Sequence, residues 1–189
     1  MFEIRIHGRG GQGVVTAAEL LSVAAFLEGR HAQAFPSFGS ERMGAPVVAF
    51  CRLSDHDIRL REPVQKPDAL IVQDATLFKA IDVLEGLKPD GFLLVNSSRH
   101  LAEIGLGDVA AKLPDGHAHS VTATELALKH IGRPAPNTSL LGAFTALSDL
   151  ISLASVHEAI RRAFPGKVGE ANVKAASEAH DMVAAKLKH

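Results

Sequence analysis

Residues 8–13, Gly8-Arg9-Gly10-Gly11-Gln12-Gly13, place four glycines in six positions. Such a run can do chemistry without a reactive side chain, because bare backbone turns tightly and brings N–H groups up to an anion. Gly8, Gly10 and Gly13 fit G-x-G-x-x-G, which cradles a pyrophosphate when it follows a strand and opens a helix. An NAD site also needs an Asp or Glu about 20 residues further on, to hold the ribose. The segment His31-Ala-Gln-Ala-Phe35 contains no acid, and Glu28 stands at a helix end before Gly29. Two readings stay open: a loop for a phosphate-bearing ligand other than NAD, or a purely structural glycine turn.

Other reactive types are sparse. Cys51 is the only cysteine, so this chain alone builds no disulfide, zinc site or iron–sulfur cluster. Its neighbours Val47 to Leu53 form a buried-strand pattern, in which a thiol is a small core filler rather than a nucleophile. Asp74, Asn96 and Ser97 follow apolar runs, where a doubly wound sheet places either ligand contacts or helix caps. The ten histidines are scattered, with His117 and His119 the closest pair; a metal site and plain surface imidazoles are both compatible with them. There is no G-x-S-x-G elbow, no H-E-x-x-H, and no lysine after the glycine run, where Val14 stands. Nor is there a thiamine diphosphate motif, since Gly107-Asp108 continues with Val109.

The elements that must position the loop read as α/β. A short strand with Phe2 and Ile4 precedes it, and a helix from Val14 to about Glu28 follows. That helix is apolar nearly all round, with Glu19 its lone charge, so it must be buried on more than one side, by the sheet and plausibly by a partner subunit. Strands are expected at His31–Phe35, Pro46–Leu53, Ile58–Arg61, Ala69–Asp74, Gly91–Ser98 and His117–Val121, with a short helix over Thr76–Leu84. From Thr122 the chain turns helical: Thr124–Ile131, Thr138–Leu150 capped by Asn137, Ala159–Phe164 behind a Ser155–Glu158 capping box, and Val168–Leu187. The expected fold is Rossmann-like: a mostly parallel sheet with helices on both faces and a helical C-terminal third, as a single domain over 1–189. The connection Ala34–Pro46 carries two Phe, a Met and an adjacent Glu41-Arg42 pair, a composition suited to an interface core, with a self-packed surface loop as the bland alternative.

Composition narrows the partners. Twenty basic and 21 acidic residues nearly cancel, and Trp and Tyr are absent, so no nucleic-acid footprint is visible. No run of 18 apolar residues occurs and no basic stretch precedes a cleavage site, which leads to the expectation of a cytoplasmic chain without membrane insertion. Taken alone, the chain reads as a subunit that holds part of a ligand against a partner.

Gly8-Arg-Gly-Gly-Gln-Gly-Val-Val-Thr-Ala-Ala-Glu-Leu-Leu21, Gln33-Ala-Phe-Pro-Ser-Phe-Gly-Ser-Glu-Arg42, Gly44-Ala-Pro-Val47, Pro136-Asn-Thr138, Leu141-Gly-Ala143 and Asn172-Val173 together resemble the gamma subunit of 2-oxoacid:ferredoxin oxidoreductases. The glycine loop and the Phe-Pro-Ser-Phe-Gly loop are specific only jointly. The resemblance implies a multi-subunit oxidative decarboxylase acting on a 2-oxo acid such as pyruvate. Thiamine diphosphate, Mg and [4Fe-4S] clusters would sit on partner subunits, ferredoxin would take the electrons, and coenzyme A would take the acyl group. It further implies that Gly8, Arg9, Gly10, Gly11, Gln12 and Gly13 face coenzyme A, and that Ser37, Phe38, Glu41 and Arg42 pack against the catalytic subunits. The chain would contribute no catalytic residue and no metal ligand. Aryl-oxoacid relatives acting on phenylglyoxylate or indolepyruvate would carry a similar chain. Two rivals of other classes are a non-catalytic assembly module and a free-standing nucleotide-binding enzyme.

Overall fold

The computed structural model describes residues 1–37 and 42–188. Six strands form one sheet: β1 (Phe2–Arg9), β2 (His31–Pro36), β3 (Pro46–Ser54), β4 (Ala69–Val72), β5 (Phe92–Asn96) and β6 (Ala118–Val121), in the spatial order β2-β3-β1-β4-β5-β6. The pairs β1/β4, β4/β5 and β5/β6 are parallel, whereas β3 runs antiparallel to both its neighbours, so five strands point one way. The helices are α1 (Val14–Leu27), α2 (Gly107–Lys112), α3 (Ala123–Ile131), α4 (Asn137–Ser148), α5 (Leu153–Ala163) and α6 (Lys167–Leu187). The Rossmann-like expectation holds, and the cover is uneven. The five longer helices stack on one face, over Ile4, Ile6, Cys51 and Ile71, while α2 and two single-turn 3₁₀ segments cover Leu70, Val72, Leu93 and Val95 on the other.

Alternation in β1 sets this division, since Ile4 and Ile6 are fully buried in the main core while Arg5 and His7 point to the opposite face. There β1 and β3 carry buried polar groups rather than an apolar layer. Arg52 meets Glu3 at 2.8 Å, and Arg5 donates to His7 Nε2 at 3.0 Å. Helix α4 lies between the sheet and α6, and a Cβ on Gly142 would stand 2.0 Å from the Ala176 carbonyl oxygen, so the two backbones nearly touch. The alanines of α6, Ala175, Ala176 and Ala179, are fully buried along it.

Several boundaries differ from expectation, each for a visible reason. Ile58–Arg61 is not a strand: β2 already forms that edge, and its Gln33 side chain donates to the Leu60 carbonyl at 2.7 Å. The helix expected over Thr76–Leu84 is a single 3₁₀ turn, Ala75–Lys79. Beyond it the Val83 and Glu85 carbonyls accept the buried Arg5 guanidinium. Helix α2 was not expected from the sequence. Ser155 does not open α5; Ser152 does, one turn earlier, accepting from the Ser155 N–H at 3.1 Å. Glu28, just past α1, accepts from both Ser152 N and Ser152 Oγ and so fixes that start. On its second side α1 packs against α5 of the same chain, while Val23 and Phe26 stay exposed, Phe26 at 72%.

Candidate functional site

The strand leading into the glycine loop ends at Arg9, and the Gln12 N–H returns to the Arg9 carbonyl at 3.0 Å to close a tight turn. Gly11 at φ 91° and Gly13 at φ 73° adopt the left-handed backbone that side chains resist. Gly13 occupies the position before α1 and, lacking a side chain, supplies no cap, so the first N–H groups of that helix stay open to an outside acceptor. Gly8 and Gly10 serve closeness rather than φ. A Cβ at Gly8 would meet Val14 at 2.5 Å and the Gln12 amide oxygen at 3.1 Å; at Gly10 it would meet the Arg42 carbonyl oxygen at 2.0 Å.

Gly11, Gln12 and Gly13 line a groove of about 530 Å³, together with Thr16, Arg133, Asn137 and the apolar Ile131, Phe164 and Val168. Helices α1, α4 and α6 all begin at its walls, and the positive ends of their dipoles favour an anion there. Asn137, expected as a helix cap, is instead the first residue of α4 and donates to the Gly13 carbonyl at 3.3 Å, tying the two helix starts together. Arg133 is exposed at the rim. Neither Arg133 nor the Gly13 contact of Asn137 was legible in the sequence; only the two prolines around Ala135 hint that this connection is held rigid.

The remaining loop residues look elsewhere. Arg9 is braced and part-exposed: its guanidinium donates to Gly44 O at 3.0 Å and Thr76 Oγ1 at 2.9 Å and lies 3.4 Å from Asp74. The Gln12 side chain folds back, accepting from the Arg9 N–H at 2.8 Å and donating to Asp74 Oδ2 at 2.9 Å. Burial pushes the Asp74 carboxyl up, but hydrogen bonds from Thr76 and Gln12 and the Arg9 charge outweigh it and hold it below its usual value. Behind it, Gln73 donates to Gln12 O at 2.7 Å, and Asn96 joins Gln73 O to Thr124 at the start of α3. Asn96 and Asp74 are therefore braces and caps, and Ser97 accepts from the Arg99 N–H in a turn.

The proposed interface loop divides. Phe38 and Glu41 lie outside the described residues. The Ser37 N–H bonds Val48 O at 2.8 Å, and Ser37 lines a separate cavity of about 480 Å³ with Arg5, His7 and Phe50. Arg42 is exposed, while its carbonyl accepts from Ala45 N at 3.0 Å beneath Gly10. The Gly10 N–H donates to Ala45 O at 2.8 Å and the Gly44 N–H to Gly10 O at 3.0 Å, so residues 42–45 are stitched to the glycine loop. Elsewhere, Cys51 is fully buried with its thiol pushed up to about 12. Among the described residues no group of three His, Cys, Asp or Glu could hold a metal ion, and no helix is long and apolar enough to cross a membrane.

Fold and site together define an α/β subunit whose glycine loop faces an anion-suited groove. The sequence model of pyruvate ferredoxin/flavodoxin oxidoreductase matches residues 3–182. A relative from Thermococcus kodakarensis, the pyruvate/ketoisovalerate oxidoreductases common subunit gamma, is 48% identical over 179 residues, 95% of each chain. The crystal structure of the pyruvate oxidoreductase subunit PORC from Thermotoga maritima superposes with TM-score 0.79 at 37% identity, covering 95% of both chains. A 2-oxoglutarate:ferredoxin oxidoreductase from Magnetococcus marinus, with 2-oxoglutarate, coenzyme A and succinyl-CoA bound, contains the same fold (TM-score 0.76, 19% identity) over 98% of this chain and 31% of its own. The chain belongs to the pyruvate ferredoxin/flavodoxin oxidoreductase family, as a gamma-type subunit of a multi-subunit 2-oxoacid oxidoreductase. Other subunits of that complex are its partners, and ferredoxin is the acceptor that the family implies.

Proposed function

We propose that this subunit presents coenzyme A to the catalytic subunits, with the phosphates of the coenzyme held at Gly11, Gln12, Gly13 and the first turn of α1. The observation that carries the reading is the groove itself: left-handed glycines, three helix starts and the rim Arg133 converge on it. Its apolar wall of Ile131, Phe164 and Val168 suits the uncharged part of such a ligand. When bound, the coenzyme supplies the thiol that accepts the acyl group left by decarboxylation. Arg9 is 28% exposed, so it keeps the loop in place while leaving part of its guanidinium for a phosphate. Gly8 and Gly10 shape the turn without facing the groove.

A lone buried cysteine cannot hold a cluster, so [4Fe-4S] centres, like thiamine diphosphate and its Mg, are assigned to partner subunits. Ser37, Phe38, Glu41 and Arg42 are proposed as contacts to those subunits, the whole of 1–189 as one functional domain, and the cytoplasm as its location. Pyruvate is the proposed substrate. The Thermococcus kodakarensis subunit is common to pyruvate and ketoisovalerate enzymes, which supports leaving substrate selection to other chains.

In the reconstituted complex, Arg133→Ala and Arg9→Ala are each expected to raise the apparent KM for coenzyme A about five- to tenfold, the worth of one charge-assisted contact. The KM for the 2-oxo acid should not move. Steady-state kinetics with both substrates varied checks this, and an unchanged coenzyme KM in both variants would overturn the assignment.

A further inference from the structure

We propose that Asp74 is a positioning residue for the acyl-acceptor site, acting through Gln12 and Arg9 without touching the ligand. The proposal rests on the coenzyme reading above. Asp74 sits just beyond β4, next to the end of β1, and both of its oxygens are engaged. Oδ1 accepts from Thr76 N at 3.0 Å and from Thr76 Oγ1 at 2.5 Å; Oδ2 accepts from Gln12 Nε2 at 2.9 Å and faces Arg9 Nε at 3.4 Å.

The direction of this chain of hydrogen bonds is fixed at both ends. The Arg9 backbone N–H can only donate, and an ionised carboxylate can only accept. The Gln12 amide between them therefore has one permitted orientation, oxygen to Arg9 and nitrogen to Asp74, and the observed contacts obey it. With its side chain so tied over Gly8, Gln12 cannot swing into the groove, and Gly11 and Gly13 on either side of it keep the left-handed backbone that opens the turn. The same carboxylate and Thr76 hold the Arg9 guanidinium, whose Nη1 in turn grips Gly44 O.

This polarity makes a reciprocal test possible. D74N sets an NH₂ group either against the Gln12 NH₂ or, if the asparagine turns, against the Thr76 N–H, so one donor loses its acceptor in each orientation; turning the glutamine only moves the clash to the Arg9 N–H. Q12E sets two carboxylates face to face. Combined, Q12E and D74N restore an acceptor for Arg9 N–H and a donor–acceptor pair between positions 12 and 74. In the assembled complex, each single substitution is expected to raise the KM for coenzyme A about tenfold, with the KM for the 2-oxo acid unmoved. The double variant is expected to return to within about twofold of the parent.

Additive losses in the double variant would overturn the proposal. So would an unchanged coenzyme KM in D74N while R133A raises it, a result that leaves the coenzyme reading standing. If neither D74N nor R133A moves that KM, the coenzyme reading itself fails. Should D74N not assemble, T76V removes one contact from Asp74 and two from Arg9 while leaving the carboxylate in place. A coenzyme KM raised about threefold by T76V supports the proposal, and an unchanged one overturns it.

Discussion

Single side chains in this protein are held by partners that fix their ionisation. His7 is 4% exposed, and burial, with the Arg5 charge second, pushes its pKa down to about 3. In the unfolded chain it titrates near 6.5. Between those values the unfolded state binds a proton that the folded state refuses, so this residue makes stability fall as pH drops from about 6.5 towards 3, by about 1.4 kcal/mol per pH unit. His7→Leu is expected to flatten that part of the curve, measured by denaturant unfolding at a series of pH values. Asp74 has the opposite chemistry and the same sign: its folded pKa is lowered, so its contribution is present above the ordinary carboxylate pKa and lost as pH falls through the folded value. The glycines that matter were visible in the sequence because glycine spacing is itself the signal. The bracing of Arg9 was not, because its partners Gly44, Asp74 and Thr76 arrive from other strands.

Helix starts show where local reading stops. Ser152 caps α5 in the structure, and the Ser155–Glu158 box read from the sequence begins three residues further on. Glu28 decides between them by accepting from Ser152 N at 2.8 Å and Ser152 Oγ at 2.7 Å across 124 positions. Ser152→Ala is expected to cost about 1 kcal/mol of stability, seen as a lower urea midpoint. Ser155→Ala should cost clearly less, although its hydroxyl lies 2.9 Å from Ser152 Oγ. Asn137 was misread for the same reason: a residue type that caps helices also tethers loops, and only the position of Gly13 distinguishes the roles. Apolar strand runs were legible to within one or two residues, since burial on both faces leaves little choice of residue. Ile58–Arg61 failed because alternation makes a strand only where backbones pair, and this segment meets the edge strand β2 through the Gln33 side chain instead.

The assembled molecule places the glycine loop and residues 42–45 side by side. Gly10 joins them, and a methyl group there would have to displace the Arg42 carbonyl. Gly10→Ala is therefore expected to impair co-purification with the partner subunits, whatever its effect on ligand affinity. Full assembly with an unaltered coenzyme KM would show that the junction serves neither purpose. That these two segments meet was not readable from their spacing, because β3 slips between β1 and β2 and so brings residues 42–45 to the glycine run.

The lone reversed strand also works as a ruler. Ala49, Cys51 and Leu53 face the main core with no exposed surface. Sliding β3 by one place would turn all three from the apolar core onto the polar face of Arg5 and His7 and carry Met43–Ala45 away from Gly10 in the same motion. Length changes between the second and third strands can therefore accumulate only upstream of Arg42, and homologous chains that differ in this connection should differ on that side alone.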